Sequence, residues 1–127
     1  MSAASLSVVV SDREPAAIDE DHLGRMTLGD RKLEREVLEI FGRQMDIMLA
    51  RIVGAEPALA GAAAHTLLGS SRGIGAWRVA QAAERLESAA ARHNVEAIAR
   101  AIGELEAAIG EARAAIKGRL DGVSGEN

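Results

Sequence analysis

The sequence predicts an all-α protein, an antiparallel four-helix bundle with a short additional N-terminal helix. Four long segments repeat apolar residues at spacings of three and four, the period of a helix with one buried face. Hydrophobic residues make up 48% of the 127-residue chain and aromatic residues only 2%. The core must therefore be mostly aliphatic, which suits closely packed helices better than a β-sandwich. The connections between the four segments are short, so neighbouring helices are expected to be antiparallel.

Residues 1–17 are predicted to form a flexible N-terminal tail, because they show no helical period and contain serine, aspartate and proline. A short helix is predicted over residues 19–28, with Asp19 as its N-cap. Gly29 and Asp30 then break the helical pattern and restart it.

A long helix is predicted over residues 30–53, and its apolar face comprises Leu33, Val37, Ile40, Phe41, Met45, Met48, Leu49 and Ile52. The next helix is predicted over residues 57–72. It begins at Pro57, a residue that suits a first helical turn. Gly73 and Gly75 supply the turn that follows.

The third long pattern runs over residues 76–93, with an apolar stripe of Val79, Ala83, Leu86 and Ala90. The last runs over residues 95–120, with a stripe of Ile98, Ile102, Leu105, Ile109, Ala112, Ile116 and Leu120. This stripe also admits a dimeric coiled coil, but it is shorter than four heptads and favours a bundle within one chain. The bundle is expected over residues 18–120 of a monomer, and residues 121–127 are expected to form a frayed tail.

Composition excludes several classes of function. The net charge of −4 and the isoelectric point near 5.4 argue against a nucleic-acid-binding protein. The chain has no cysteine, which excludes disulfides, a thiolate nucleophile and a cysteine-based zinc site. The apolar run at residues 6–10 is too short to span a membrane and lacks the basic flank of a secretory signal. We expect a soluble, cytoplasmic protein.

His65 is a titratable residue surrounded in sequence by small residues, mainly alanine, glycine and serine. On a helix it shares a face with Leu68, Gly69 and Arg72. A glycine inside a helix costs about 1 kcal/mol relative to alanine. Its presence beside a histidine indicates that a partner surface approaches the helix backbone closely.

The stretch AHTLLGSSRGIGAWRVAQAAERLE, residues 64–87, resembles the signature of histidine-containing phosphotransfer (HPt) domains. The matching positions are Ala64, His65, Leu67, Gly69, Ser70, Ser71, Gly75, Ala76, Leu86 and Glu87. The upstream stretch LEREVLEIFGRQMDIMLARI is similar to the helix that precedes the histidine in that family. The resemblance covers about residues 19–118.

This resemblance implies that His65 accepts a phosphoryl group from an aspartyl phosphate on a response-regulator receiver domain. The implied partners are receiver domains, a hybrid histidine kinase, or both. Mg²⁺ is expected on the receiver, and no cofactor is expected on this chain. Because the sequence holds no nucleotide-binding motif, we expect a phosphocarrier that does not phosphorylate itself from ATP, not an enzyme.

One departure from the family pattern concerns phosphate charge. The family usually has a lysine three residues after the histidine, and this chain has Leu68. Arg72, one turn further along the same face, could substitute for it, since arginine binds phosphate through two hydrogen bonds. Arg78 and Arg85 are weaker candidates.

The small residues after His65 are assigned to the docking surface. Gly69, Ser70 and Gly73 would keep that surface low, and Ser70 or Ser71 could hydrogen-bond to the imidazole or to a phosphate oxygen. Adjacent helix positions point about 100° apart, so Leu67 is assigned to the core and Leu68 to the docking face.

Two other functions stay open. The bundle could be an HPt-like interaction module that binds a receiver or kinase without phosphotransfer, which the missing lysine favours. It could also be the dimerisation domain of a sensor kinase. In that class an acidic residue usually follows the histidine, whereas here Thr66 follows it.

The other conspicuous side chains are expected to be structural. No metal site is predicted, because the histidines and acidic residues lack the spacing of a zinc-binding helix. Structural roles are assigned to His22 and His93, to Trp77 at the start of the third long helix, to the methionines 26, 45 and 48 as core residues, and to the acidic clusters at 19–21 and 34–36 as solvated helix faces.

Overall fold

The computed structural model describes residues 16–125, with side chains up to residue 122, and they form five α-helices. The helices are α1 (Glu20–Met26), α2 (Arg31–Ile52), α3 (Pro57–Ile74), α4 (Trp77–Ala91) and α5 (Val95–Gly125). No strand occurs in this part of the chain. The prediction of an all-α bundle with a short additional helix is confirmed.

The four long helices form a closed ring. α3 packs against α2 and α4, and α5 packs against α4 and α2. The connections are only a few residues long, so consecutive helices are antiparallel. The short helix α1 packs against α3.

Helix ends follow the local signals in the sequence. Asp19 and Asp30 cap α1 and α2, each accepting a hydrogen bond of 3.1 Å from a backbone N–H three residues on. α3 ends at Gly75, which has a left-handed backbone (φ +88°). α5 continues to Gly125, so the predicted end at residue 120 was a turn too short. The predicted tails lie outside the described residues at positions 1–15 and 126–127.

The core is aliphatic, as composition required. Its largest fully buried side chains include Leu23, Leu38, Met45, Ile52, Leu67, Val79, Leu86, Leu105 and Ile109. α3 and α4 meet through small residues, and a Cβ added at Gly61 would lie 3.3 Å from the Cβ of Ala90. These two helices therefore pack closely enough for side chains on one to reach side chains on the other.

Some predicted core positions are not buried. Met26 is 45% exposed, and Leu33 and Ile40 on α2 are 38% and 57% exposed. The predictions for Leu33 and Ile40 were wrong because α2 packs mainly against α3 and α5, which leaves its outer edge exposed. Met26 is the last residue of the short helix α1, and its prediction as a core residue was also wrong.

A buried ion pair joins α5 to α2. The guanidinium of Arg119 donates to both carboxylate oxygens of Glu34, at 2.7 and 3.0 Å, and Glu20 of α1 lies 3.3 Å away. The Glu34 side chain is only 10% exposed, so its assignment to a solvated face was wrong. The hydrogen bonds that Arg119 donates to Glu34, together with the negative charge of Glu34, raise the pKa of Arg119, and the guanidinium stays charged.

The cluster formed by Asp19, His22, Gly73, Gly75 and Trp77 attaches α1 to the turn between α3 and α4. The Trp77 indole N–H donates to the Asp19 carboxylate at 2.8 Å, and the Asp19 amide donates to the Gly75 carbonyl at 2.9 Å. The His22 Nε2 donates to the Gly73 carbonyl at 3.0 Å, and its ring meets Trp77 edge-on. His22 and Trp77 thus join α1 to the turn between α3 and α4, which agrees with the structural role predicted for them.

Arg119→Gln is expected to lower the free energy of unfolding by about 1–3 kcal/mol. Removing one partner of a fully buried pair costs about 3–5 kcal/mol, but Arg119 is 31% exposed. Urea denaturation measures the loss. Arg85→Gln is the control, since its pair with Glu104 is solvated and should contribute about 0.2–1 kcal/mol. Equal losses of unfolding free energy in the two variants would contradict a stabilising role for the partly buried pair of Arg119 and Glu34.

Acid should weaken the attachment of α1. The Trp77 indole N–H, and after it the His22 amide, hold the pKa of the Asp19 carboxyl below its usual value. The stability that this carboxylate contributes is present above the usual aspartate range, near pH 4, and is lost as pH falls through the lowered folded value. Urea denaturation at a series of pH values from 6 to 3 should therefore show a shallower loss of stability for Asp19→Asn than for wild type. Asp30→Asn changes a cap without an indole partner and is the control; parallel curves for wild type and Asp19→Asn would contradict the assignment.

Candidate functional site

His65 lies in the middle of α3, on the side of the helix that no other helix covers. Its side chain is 72% exposed. The opposite side of α3 is held by buried residues on every turn, namely Ala60, Ala63, Ala64, Leu67, Leu68, Ser71 and Ile74. The imidazole is therefore presented to solvent from a helix that is packed along its length.

A hydrogen bond fixes the orientation of the imidazole. The Nδ1 atom of His65 lies 2.9 Å from a carboxylate oxygen of Glu87 on α4. An ionised carboxylate only accepts hydrogen bonds, so Nδ1 is assigned the proton and donates. The other nitrogen, Nε2, then keeps its lone pair and can act as a nucleophile.

Glu87 was quoted in the family resemblance but not predicted as a site residue. His65 lies eleven residues before Ala76 and Glu87 eleven residues after it. In two antiparallel helices joined by a tight turn, residues equally far from the turn lie at the same level. This symmetry was the signal in the sequence that could have identified the pair.

An apolar groove of about 720 Å³ borders His65. It lies between the first half of α3 and the end of α4, and small residues form its floor. Its lining comprises Pro57, Ala58, Gly61, Ala62, Thr66, Ala90 and Ala91, with Glu87 and His93 at its edge. A partner's side chains could thus approach the imidazole without meeting a bulky residue.

Leu68 is only 7% exposed, so its assignment to the docking face was wrong. Leu67 is fully buried, as predicted. α3 packs against both α2 and α4, and this makes its buried arc wide enough for two adjacent positions. Leu68 lines a separate cleft of about 370 Å³ with Arg72 and Trp77.

Arg72 does not lie beside His65 in this structure. Its guanidinium is 3.4 Å from the Glu84 carboxylate, and it lines the cleft of Leu68, not the groove of His65. Seven residues along a helix correspond to about 10.5 Å. Arg78 and Arg85 pair with Glu111 and Glu104.

The serine hydroxyls after His65 are directed to the helix backbone. Ser70 donates to the Thr66 carbonyl at 3.2 Å, and the buried Ser71 donates to the Leu67 carbonyl at 2.7 Å. Gly69 is exposed and has open space around it. Of the predicted supporting residues, Gly69 thus lies on the exposed face of His65, one turn away.

The described residues contain no group of three histidine or acidic side chains that could hold a metal ion. None of their helices is both long and apolar enough to cross a membrane.

Comparison with known families identifies the chain. Its sequence matches the Hpt domain family over residues 35–115, well over half of its length. The chain belongs to the HPt domain family. Proteins of this family are phosphotransfer carriers of two-component phosphorelays and not kinases. The recognition of the family from residues 64–87 is confirmed.

A solved structure shows the same fold in another HPt protein. A rice protein assigned to the histidine-containing phosphotransfer proteins superposes with a TM-score of 0.73, covering 94% of this chain and 88% of the rice chain. The two sequences are only 18% identical, so the likeness concerns the fold alone. No curated protein matches this HPt domain.

Proposed function

We propose that this HPt domain exchanges a phosphoryl group between His65 and the aspartate of receiver domains. One observation carries the proposal: the His65 side chain is 72% exposed while its Nδ1 atom is held by Glu87 at 2.9 Å, which leaves Nε2 without a protein partner among the described residues. Phosphoryl transfer depends mainly on positioning a nucleophile in line with the bond that breaks and on stabilising charge. A fixed imidazole on a packed helix supplies the first of these.

The transfer step balances without a base on this chain. The Nε2 lone pair attacks phosphorus, the bond from phosphorus to the aspartate oxygen breaks, and the aspartate leaves as a carboxylate. The proton stays on Nδ1, and the ring gains positive charge. The Glu87 carboxylate stabilises that charge, as carboxylates paired with histidines do in other sites. The receiver would contribute its own Mg²⁺ and lysine.

Exposed apolar side chains offer a receiver its contact area. Ile40 and Ile47 on α2 are 57% and 49% exposed, and Leu59 on α3 is 63% exposed. Ile40 and Ile47 are seven residues apart and thus lie on one face of α2. A receiver that covers them would exclude water from the imidazole. We extend the proposal to a cytoplasmic monomer whose partners are response-regulator receiver domains, a hybrid histidine kinase, or both.

A second candidate is an interaction module that binds a receiver or kinase without phosphotransfer. It is favoured by the buried Leu68 at the family's lysine position and by the pairing of Arg72 with Glu84. No lysine or arginine is among the described residues that line the groove of His65. The imidazole geometry favours the carrier, because a module without chemistry needs no oriented Nε2.

A panel of phosphorylated receiver domains should transfer label to wild type but not to His65→Gln, because His65 is the proposed acceptor. The label should be acid-labile and base-stable. His93→Gln is the control, since His93 lines the same groove and its loss should leave labelling intact.

Label on His65→Gln would contradict the assignment of the acceptor. Receiver binding without label on any variant would favour the interaction module.

A further inference from the structure

A phosphoryl group on His65 brings two negative charges to a site that already contains a carboxylate. Glu87 lies 2.9 Å from the imidazole. Phosphoryl groups are stabilised by cationic side chains, and arginine does so with two parallel hydrogen bonds. If His65 is the phosphoacceptor, as proposed above, this domain needs a cation that is not at position 68.

Arg51, Arg72 and Arg78 line clefts along α3. Two of the three form ion pairs with glutamates. Arg72 is paired with Glu84 at 3.4 Å, and Arg78 with Glu111 at 2.5 Å. Arg51, in the last turn of α2, is exposed and forms no ion pair or side-chain hydrogen bond with another described residue. Its guanidinium is free to take an anion.

Arg51 lines a cleft beside the groove of His65. The cleft has a volume of about 320 Å³, and Ala62 and Thr66 are among its lining residues. The same two residues line the groove of His65, so Ala62 and Thr66 form the ridge that separates the two cavities. An arginine side chain reaches about 6–7 Å from its backbone, which takes the guanidinium from the edge of α2 toward that ridge.

We infer that Arg51 is the phosphate-binding cation of this domain, which holds the phosphoryl group on Nε2 of His65 in place of the missing lysine. Met48 and Leu59 line the same cleft, and exposed Ile47 precedes it on α2. A receiver docked on these apolar side chains would remove water from Arg51 and strengthen its contact with phosphate.

The test uses phosphoramidate, a small phosphoryl donor, and does not require the natural receiver. Nε2 attacks phosphorus, the bond from phosphorus to the protonated amino nitrogen of phosphoramidate breaks, and neutral ammonia leaves, while the His65 proton stays on Nδ1. The titration of the phosphoryl group on His65 is then followed by ³¹P NMR, with His65→Gln identifying its resonance. Arg51→Gln is compared with Arg51→Lys, Arg72→Gln and Arg43→Gln, the last an exposed arginine on the same helix.

A nearby cation favours the dianionic phosphoryl group, so Arg51→Gln should move the titration midpoint to higher pH, by roughly half a unit to one unit at this exposed site. Arg51→Lys should restore part of the shift, while Arg72→Gln and Arg43→Gln should leave the midpoint unchanged. Circular dichroism checks that every variant is folded.

Two failures are distinguishable. If Arg51→Gln does not change the titration midpoint of the phosphoryl group, or if Arg72→Gln changes it instead, the role of Arg51 is overturned. His65 would still be the phosphoacceptor in that case. A folded wild type that gains no phosphoryl group on His65 would overturn the proposed function and, with it, the role of Arg51.

Discussion

The close packing of α3 against α4 is the constraint on which the site depends. Small residues line the contact, and Gly61 faces Ala90 at a distance that leaves little space for another carbon atom. Closely packed helices bring the level of His65 to the level of Glu87, and a 2.9 Å hydrogen bond forms between them. The alanine-rich composition of the chain and the orientation of its imidazole therefore have one cause. Larger core side chains at this contact would separate the helices and release the imidazole.

Charge around His65 is divided between two neighbouring helices. Glu87 on α4 accepts the hydrogen bond that orients the ring, and in the proposed transfer its carboxylate would stabilise the positive charge that develops on the ring. The proposed cation, Arg51, comes from α2 on the other side of the ridge. The two arginines that line the cleft between α3 and α4 are already paired, Arg72 with Glu84 and Arg78 with Glu111. In the proposed arrangement, the α4 side would orient the imidazole, and the α2 side would bind the phosphoryl group and the receiver.

The helices and the family could be predicted because they depend on local signals, namely a three-four apolar period, the caps Asp19 and Asp30, and a motif around His65. The errors concern relations between helices. Leu68 is buried because α3 has two neighbours, and periodicity along one helix does not count neighbours. Arg72 forms an ion pair with Glu84 on the next helix. Glu34 is covered by Arg119, which is 85 residues away in the sequence. Predicting the contact between His65 and Glu87 requires the register of α3 against α4, which follows from the equal distances of the two residues from Ala76. The apolar period of a single helix does not give that register.

The measurement that tests the central claim most directly is the identity of the nitrogen that carries phosphorus. The protein would be loaded with phosphoryl groups, and ¹⁵N and ³¹P NMR would distinguish the two isomers of phosphohistidine at His65. Because Glu87 holds the proton on Nδ1, wild type should contain only the Nε2 isomer, and Glu87→Ala should load more slowly. Phosphorus on Nδ1 in wild type would contradict the account, since that nitrogen could not be both the donor to Glu87 and the nucleophile.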